Sequence, residues 1–212
     1  MNLSPKATFL FQGDSITDCG RSHDNDRNLG TGYVMMVEKS FSVKHPEKNV
    51  SFINRGINGN KVNGLKKRWQ KDCLILRPDV ITILIGVNDI SKVFFWEKTT
   101  SNKSFEKDYR TILEQTRNNI NAKIVLMEPF ILNINRNRLK LRKKLFHKIE
   151  IVRKLAAEFD VALVPLSTIF QEAEKVKEPT FWSNDGVHPT MEGHKLIAES
   201  WTRAVADSLG FR

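Results

Sequence analysis

The sequence predicts an α/β protein: a three-layer α/β/α sandwich around a five-stranded parallel sheet. Strand-like and helix-like segments alternate along the whole chain. One run, Val80-Ile81-Thr82-Ile83-Leu84-Ile85, is apolar apart from a single threonine, as in a strand covered by helices on both faces. Ser15, Gly56 and Asn88 each fall just past the end of a strand-like run, so different strands deliver them to one edge of the sheet. The 212 residues suit one domain over 1–212.

The elements follow in order. Residues 8–12 form a short apolar run that breaks at Gly13, a buried strand ending in a tight turn. Residues 17–30 are polar, centred on Asp24-Asn25-Asp26-Arg27-Asn28, and read as a loop over the site. A helix over 32–41 is closed by His45-Pro46, and 49–53 is the second strand. Residues 62–72 read as a helix carrying Trp69, and Arg77-Pro78-Asp79 turns the chain into the third strand. Val93-Phe94-Phe95-Trp96 opens an irregular stretch that runs to Ser101. A helix over 105–118 leads to a strand over 123–127, ended by Glu128-Pro129. The long helix over 136–159 repeats Leu139, Leu145, Phe146, Ile149, Val152 and Leu155 at helical spacing. A short strand over 161–164 stops at Pro165, a helix covers 167–176, 181–184 is a loop, and 191–209 is the closing helix. No internal repeat, low-complexity tract or linker interrupts this pattern.

Composition narrows the function classes. Hydrophobic residues make up 40% with 13 Phe, enough for a core, and no apolar run reaches the length of a membrane span. Met1-Asn2-Leu3-Ser4-Pro5-Lys6 lacks the apolar core of a signal peptide, so a cytoplasmic enzyme is expected. The 2 cysteines, Cys19 and Cys73, form neither a CxxC pair nor a metal-ligand cluster, so neither metal nor cofactor is expected. Lys and Arg number 34 against 24 Asp and Glu, a net charge of +10. Much of it lies in Lys66-Lys67-Arg68 and in 136–148, both amphipathic segments, and reads as solvated helix faces. Without interleaved aromatics or a reader motif, neither a nucleic-acid nor a membrane partner is expected. A binding protein for anionic polymers is the non-enzymatic alternative, and it rests on charge alone.

The chemistry concentrates in four stretches. Gly13-Asp14-Ser15-Ile16 places a serine at the carboxyl end of a strand; taken alone, Asp14 or Ser15 reads as a helix cap. Asp185-Gly186-Val187-His188-Pro189 adds a base and a carboxylate three residues apart, in a turn that Gly186 and Pro189 keep from being regular helix. A serine nucleophile needs a base to take its proton, and the base needs an orienting acid. The oxyanion needs pre-aimed donors, and the candidates are the N–H of Ser15, the N–H of Gly56 and the side-chain amide of Asn88. His194 is a rival base, but no carboxylate stands beside it in a turn. Asp89 is expected to cap the turn behind Asn88. Trp182, three residues before Asp185, is the candidate substrate-binding wall, ahead of Trp69 and Trp96, and Cys19 is a candidate to line the site. The GxSxG elbow of α/β-hydrolases and the phosphate-cradling GxxxxGK[ST] loop are both absent.

Gly13-Asp14-Ser15-Ile16, Gly56, Gly86-x-Asn88-Asp89 and Asp185-x-x-His188-Pro189 resemble, in order, the four blocks of the SGNH (GDSL-type) hydrolases. Ser15 to Arg21, Leu29-Gly30-Thr31-Gly32-Tyr33, Arg68-Trp69 and Gly193-His194 bring the chain nearest to acetylxylan esterases and related carbohydrate deacetylases. The resemblance implies a flavodoxin-like strand order and Ser15 as nucleophile, with His188 as base and Asp185 orienting it. It implies oxyanion donors at Ser15, Gly56 and Asn88, no cofactor, and a homo-oligomer hydrolysing short acetyl esters on carbohydrates. A lipase or acylhydrolase acting on longer acyl or lysophospholipid esters is the alternative. A non-catalytic binder on this fold would lack Ser15 or His188, and both are present.

Overall fold

The structure is a computed structural model that describes residues 7–90 and 99–209, so the stretch at Val93–Trp96 lies outside the described residues. The five strands are β1 (Thr8–Gly13), β2 (Ser51–Gly56), β3 (Val80–Leu84), β4 (Lys123–Met127) and β5 (Ala162–Val164). They pair in parallel in the order β2-β1-β3-β4-β5, the flavodoxin-like arrangement. Among the described residues the helices are α1 (Ser15–Asp18), α2 (Tyr33–Lys44), α3 (Val62–Trp69), α4 (Asn102–Asn119), α5 (Arg136–Glu158), α6 (Leu166–Val176), α7 (Pro179–Trp182) and α8 (Met191–Leu209). None of them is long and apolar enough to cross a membrane.

The period-2 alternation of the strands sorts the core into two layers. Phe9, Phe11, Val80, Leu84, Val125 and Met127 pack beneath α2, α6 and α8, among Tyr33, Val37, Phe170 and Trp201. Leu10, Ile81, Ile83, Ile124 and Leu126 face the other way, onto Leu65 and Trp69 of α3, Tyr109 and Leu113 of α4 and Leu155 of α5. The one polar residue of β3 is accounted for: Trp201 Nε1 donates to Thr82 Oγ1 at 2.8 Å, so a buried donor and a buried acceptor satisfy each other across the helix–sheet interface. The strands end flush, with Gly13 paired to Gly56 and Leu84, Leu84 to Met127, and Met127 to Val164. Ser15 and the turns after β2 and β3 therefore leave the sheet at one edge.

The structure departs from the sequence reading at several points. The polar loop starts later than expected, because Asp14 Oδ1 accepts the Ile16 N–H at 3.0 Å and caps the one-turn helix α1. Beyond Trp69 the third helix widens into a π turn over Gln70–Leu74. The expected loop at 181–184 begins inside α7, which Pro179 starts. On α5, Leu145, Ile149, Val152 and Leu155 are buried as the spacing predicts, but Leu139 and Phe146 face solvent. Trp69 is a core residue, fully buried, with Nε1 donating to Thr116 Oγ1 at 3.0 Å.

Replacing Trp201 by Phe leaves the Thr82 hydroxyl without its donor inside the core. The variant should lose about 1–3 kcal/mol of stability, read by denaturant unfolding with an unchanged m-value.

Candidate active site

Ser15 is the first residue of α1. Its position at the N-terminus of a helix turn leaves its own N–H without an intrahelical acceptor. Its Oγ lies 2.9 Å from His188 Nε2, bridging 173 positions of sequence. His188 Nδ1 lies 2.7 Å from Asp185 Oδ2. A carboxylate oxygen only accepts, so Nδ1 carries the ring proton. Nε2 then presents its lone pair to the serine hydroxyl, which donates to it. The structure thus joins the three predicted side chains in one chain of hydrogen bonds, able to move a proton off Ser15.

The turn that carries the pair is tied down on all sides. Asp185 Oδ1 accepts the N–H groups of Val187 and His188, both at 2.8 Å. Ser183, fully buried, donates to the His188 carbonyl at 2.7 Å, and Ser183 and Pro189 close an antiparallel bridge. The Leu132 N–H holds the Gly186 carbonyl at 2.8 Å. Burial pushes the Asp185 carboxyl up, but its hydrogen bonds to the His188 ring and to the two N–H groups outweigh this and bring it down to about 2. Ser183 and Leu132 carry no sequence signal that marks these contacts.

The oxyanion donors need one correction. The Gly56 N–H is buried and donates to Asn54 Oδ1 at 2.8 Å, so it is not free to meet an oxyanion. Gly56 instead permits close contact: a Cβ there would stand 2.2 Å from the backbone nitrogen of Asp18 on α1. The second glycine of this block lies three positions on. Gly59 is half-buried at φ +72°, in a turn where the Asn60 N–H bonds the Ile57 carbonyl at 3.1 Å. Asn88 lies beside this turn and donates one amide hydrogen to the Asn60 carbonyl at 3.1 Å, leaving the second to point elsewhere. The repeated glycines of Gly56-Ile57-Asn58-Gly59 were the available signal.

Three further residues are placed as follows. Asp89 Oδ2 accepts the Val62 N–H at 3.1 Å, so it caps α3 rather than its own turn. Trp182 Nε1 donates to the Ala173 carbonyl at 3.2 Å while its carbonyl accepts the Thr190 N–H, which places Trp182 as a brace of the 183–189 turn. His194 is turned away from Ser15: its Nδ1 accepts the Tyr33 N–H at 3.2 Å and its Nε2 meets half-buried Cys19 Sγ at 3.3 Å. Burial holds the His194 ring neutral, down to about 4. Burial likewise pushes Asp14 up to about 7 and Asp89 up to about 6. Among the described residues no group of three or more His, Cys, Asp or Glu is placed to hold a metal ion.

The GDSL-like Lipase/Acylhydrolase family pattern matches residues 11–196. An acetylxylan esterase of Geobacillus stearothermophilus is 32% identical over 213 residues, covering 97% of this chain and 96% of that protein. An arylesterase of Vibrio mimicus is 30% identical over 81% of each chain. A solved structure from Parabacteroides merdae superposes with a TM-score of 0.90 at 37% identity, covering 97% of this chain and 98% of that one.

Below pH 6.5 an unfolded histidine gains a proton, whereas buried His194 stays neutral to about pH 4. The folded chain then binds fewer protons, so the stability His194 contributes above pH 6.5 is lost as the pH falls through that window. Asp14, raised from 3.8 to about 7, acts in the opposite sense: its contribution is present at low pH and lost as the pH rises. The difference between wild-type and His194→Gln unfolding curves isolates the first effect. Acidification from pH 6.5 to 4 should cost the wild type more than the variant.

Proposed function

This chain belongs to the GDSL-like lipase/acylhydrolase family and is a carboxylic ester hydrolase, and from that premise we propose that it removes short acyl groups, acetyl first, from hydroxylated carbohydrate-like alcohols. The single observation that carries the chemistry is the run of hydrogen bonds from Asp185 through His188 to Ser15. In this reading Ser15 Oγ attacks the ester carbonyl as His188 Nε2 takes its proton. Asp185 holds the ring tautomer and stabilises the imidazolium. The carbonyl oxygen becomes an oxyanion held by the N–H groups of Ser15 and Gly59 and the free amide hydrogen of Asn88. His188 then gives its proton to the departing alcohol, leaving an acyl-serine. Water, deprotonated by His188, releases the acid and restores the serine.

Two features support a hydrated alcohol and a short acyl group. The side chains of His188 and Asp185 are 57% and 43% exposed, so the acid–base pair is open to a bulky, water-bearing partner. The loop that follows α1 is exposed and polar over 22–28, and an Asp26–Arg55 pair, bidentate at 2.5 and 2.9 Å, fixes it to β2. An interfacial lipase would present an apolar surface there instead. The acetylxylan esterase relative points to the same class of substrate.

Ser15→Ala should fold normally and lose roughly 10³-fold or more in kcat on 4-nitrophenyl acetate. Across aryl esters from acetate to decanoate, kcat/KM should fall steadily with chain length, and peracetylated xylose should be deacetylated. An optimum at octanoate or beyond would replace the deacetylase with a long-chain acylhydrolase.

A further inference from the structure

Arg68, on α3, is a cation packed behind the site, its side chain 13% exposed. Its guanidinium donates to four oxygens on three segments of chain. Nη1 reaches Gln12 Oε1 at 2.8 Å and Asp72 Oδ2 at 3.0 Å. Nη2 reaches the Gly13 carbonyl at 3.3 Å, and Nε reaches Asn60 Oδ1 at 3.0 Å. The fork is itself aimed from behind, because Gln12, fully buried, also donates Nε2 to the Asp72 carbonyl at 2.7 Å within the π turn.

These partners have a common meaning. The Gly13 carbonyl, two residues before Ser15, also accepts the Ile57 N–H at 3.2 Å, which opens the 57–60 turn. Asn60 closes that turn, and its carbonyl takes the amide of Asn88. Arg68 therefore holds the turn directly at Asn60 and, through the shared Gly13 carbonyl at the end of β1, indirectly at Ile57. Gly59 lies between these two residues. We infer that Arg68 is a positioning residue for ester hydrolysis, fixing the aim of the Gly59 N–H and the Asn88 amide without touching substrate. The inference rests on the oxyanion reading proposed above.

An i,i+4 ion pair with Asp72 would account for a charge at position 68 but not for an arginine, since a lysine ammonium would form it as well. The planar fork with separate donors on Nε, Nη1 and Nη2 is what spans the three segments, and a lysine ammonium cannot reproduce it. Arg68→Lys keeps the charge beside Asp72 and removes the span. It separates the positioning role from the ion pair.

The test is steady-state hydrolysis of 4-nitrophenyl acetate by wild type, Arg68→Lys, Asn60→Ala, Asn88→Ala and the Arg68→Lys/Asn88→Ala double variant, with melting temperatures for each. Arg68→Lys should lower kcat about tenfold with KM within about twofold of wild type. In the Asn88→Ala background the same change should cost only about threefold, because one of the two donors it aims is gone while the Gly59 N–H remains. Full kcat in Arg68→Lys, or the same loss in both backgrounds, overturns the inference. Should Arg68→Lys fail to fold, Asn60→Ala decides, since it cuts only the link to the turn: a lowered kcat supports the inference and an unchanged one overturns it. A wild-type rate in Asn88→Ala removes the oxyanion reading and the inference with it. A slow Asn88→Ala beside an additive Arg68→Lys overturns the inference alone.

Discussion

The contact on which the rest depends is the close approach of α1 to two glycines. Gly13 and Gly56 face each other at the ends of adjacent strands, and α1 lies across them at a distance that leaves no room for a side chain. Because the helix turn sits that low, Asn54 can reach the Thr17 carbonyl at 2.7 Å, and Arg21 Nε can reach the Gly56 carbonyl at 2.9 Å. Buried Tyr33, on the opposite side, meets Thr17 Oγ1 at 3.0 Å. These bonds hold Ser15 at the sheet edge, where its own N–H is unpaired within the helix. The nucleophile is therefore set by main-chain packing first and by its catalytic partners second.

The sheet was legible in the sequence because its central strands are short apolar runs that stop just before a glycine or proline. The hydrogen-bonded set of Ser15, His188 and Asp185 was legible because each lies in a short block whose residue types are distinctive. What could not be read depends on contacts between distant segments. Asn54 and Gly56 look like members of one motif, yet Asn54 is the acceptor that occupies the Gly56 N–H. Asp89 adjoins Asn88 in sequence but caps a helix that starts at position 62. Leu139 and Phe146 fit a helical stripe, but α5 contacts both core layers along its length, and the buried stripe shifts around the helix. Periodicity alone gives no sign of such a change.

The carboxylates around the site differ through their surroundings. Asp185 is partly exposed and accepts N–H bonds on both oxygens, which keeps it ionised down to about pH 2. Asp14, next to the nucleophile, is buried with one backbone N–H, and burial lifts it to about 7. Burial and hydrogen bonding thus separate the two carboxyls, the exposed one on the 185–188 turn held down and the enclosed one beside Ser15 held up.

The 173 positions between Ser15 and His188 bear on how the chain is made. The serine and its helix turn emerge early in synthesis, and their sheet partners β2, β3 and β4 follow. The acid–base turn appears only after α7, almost at the end. A growing chain can pair its central strands while its serine still has no base, because the longest-range contact in the site closes last. The Ser15 hydroxyl therefore lacks this hydrogen-bond partner until the 185–188 turn has been made.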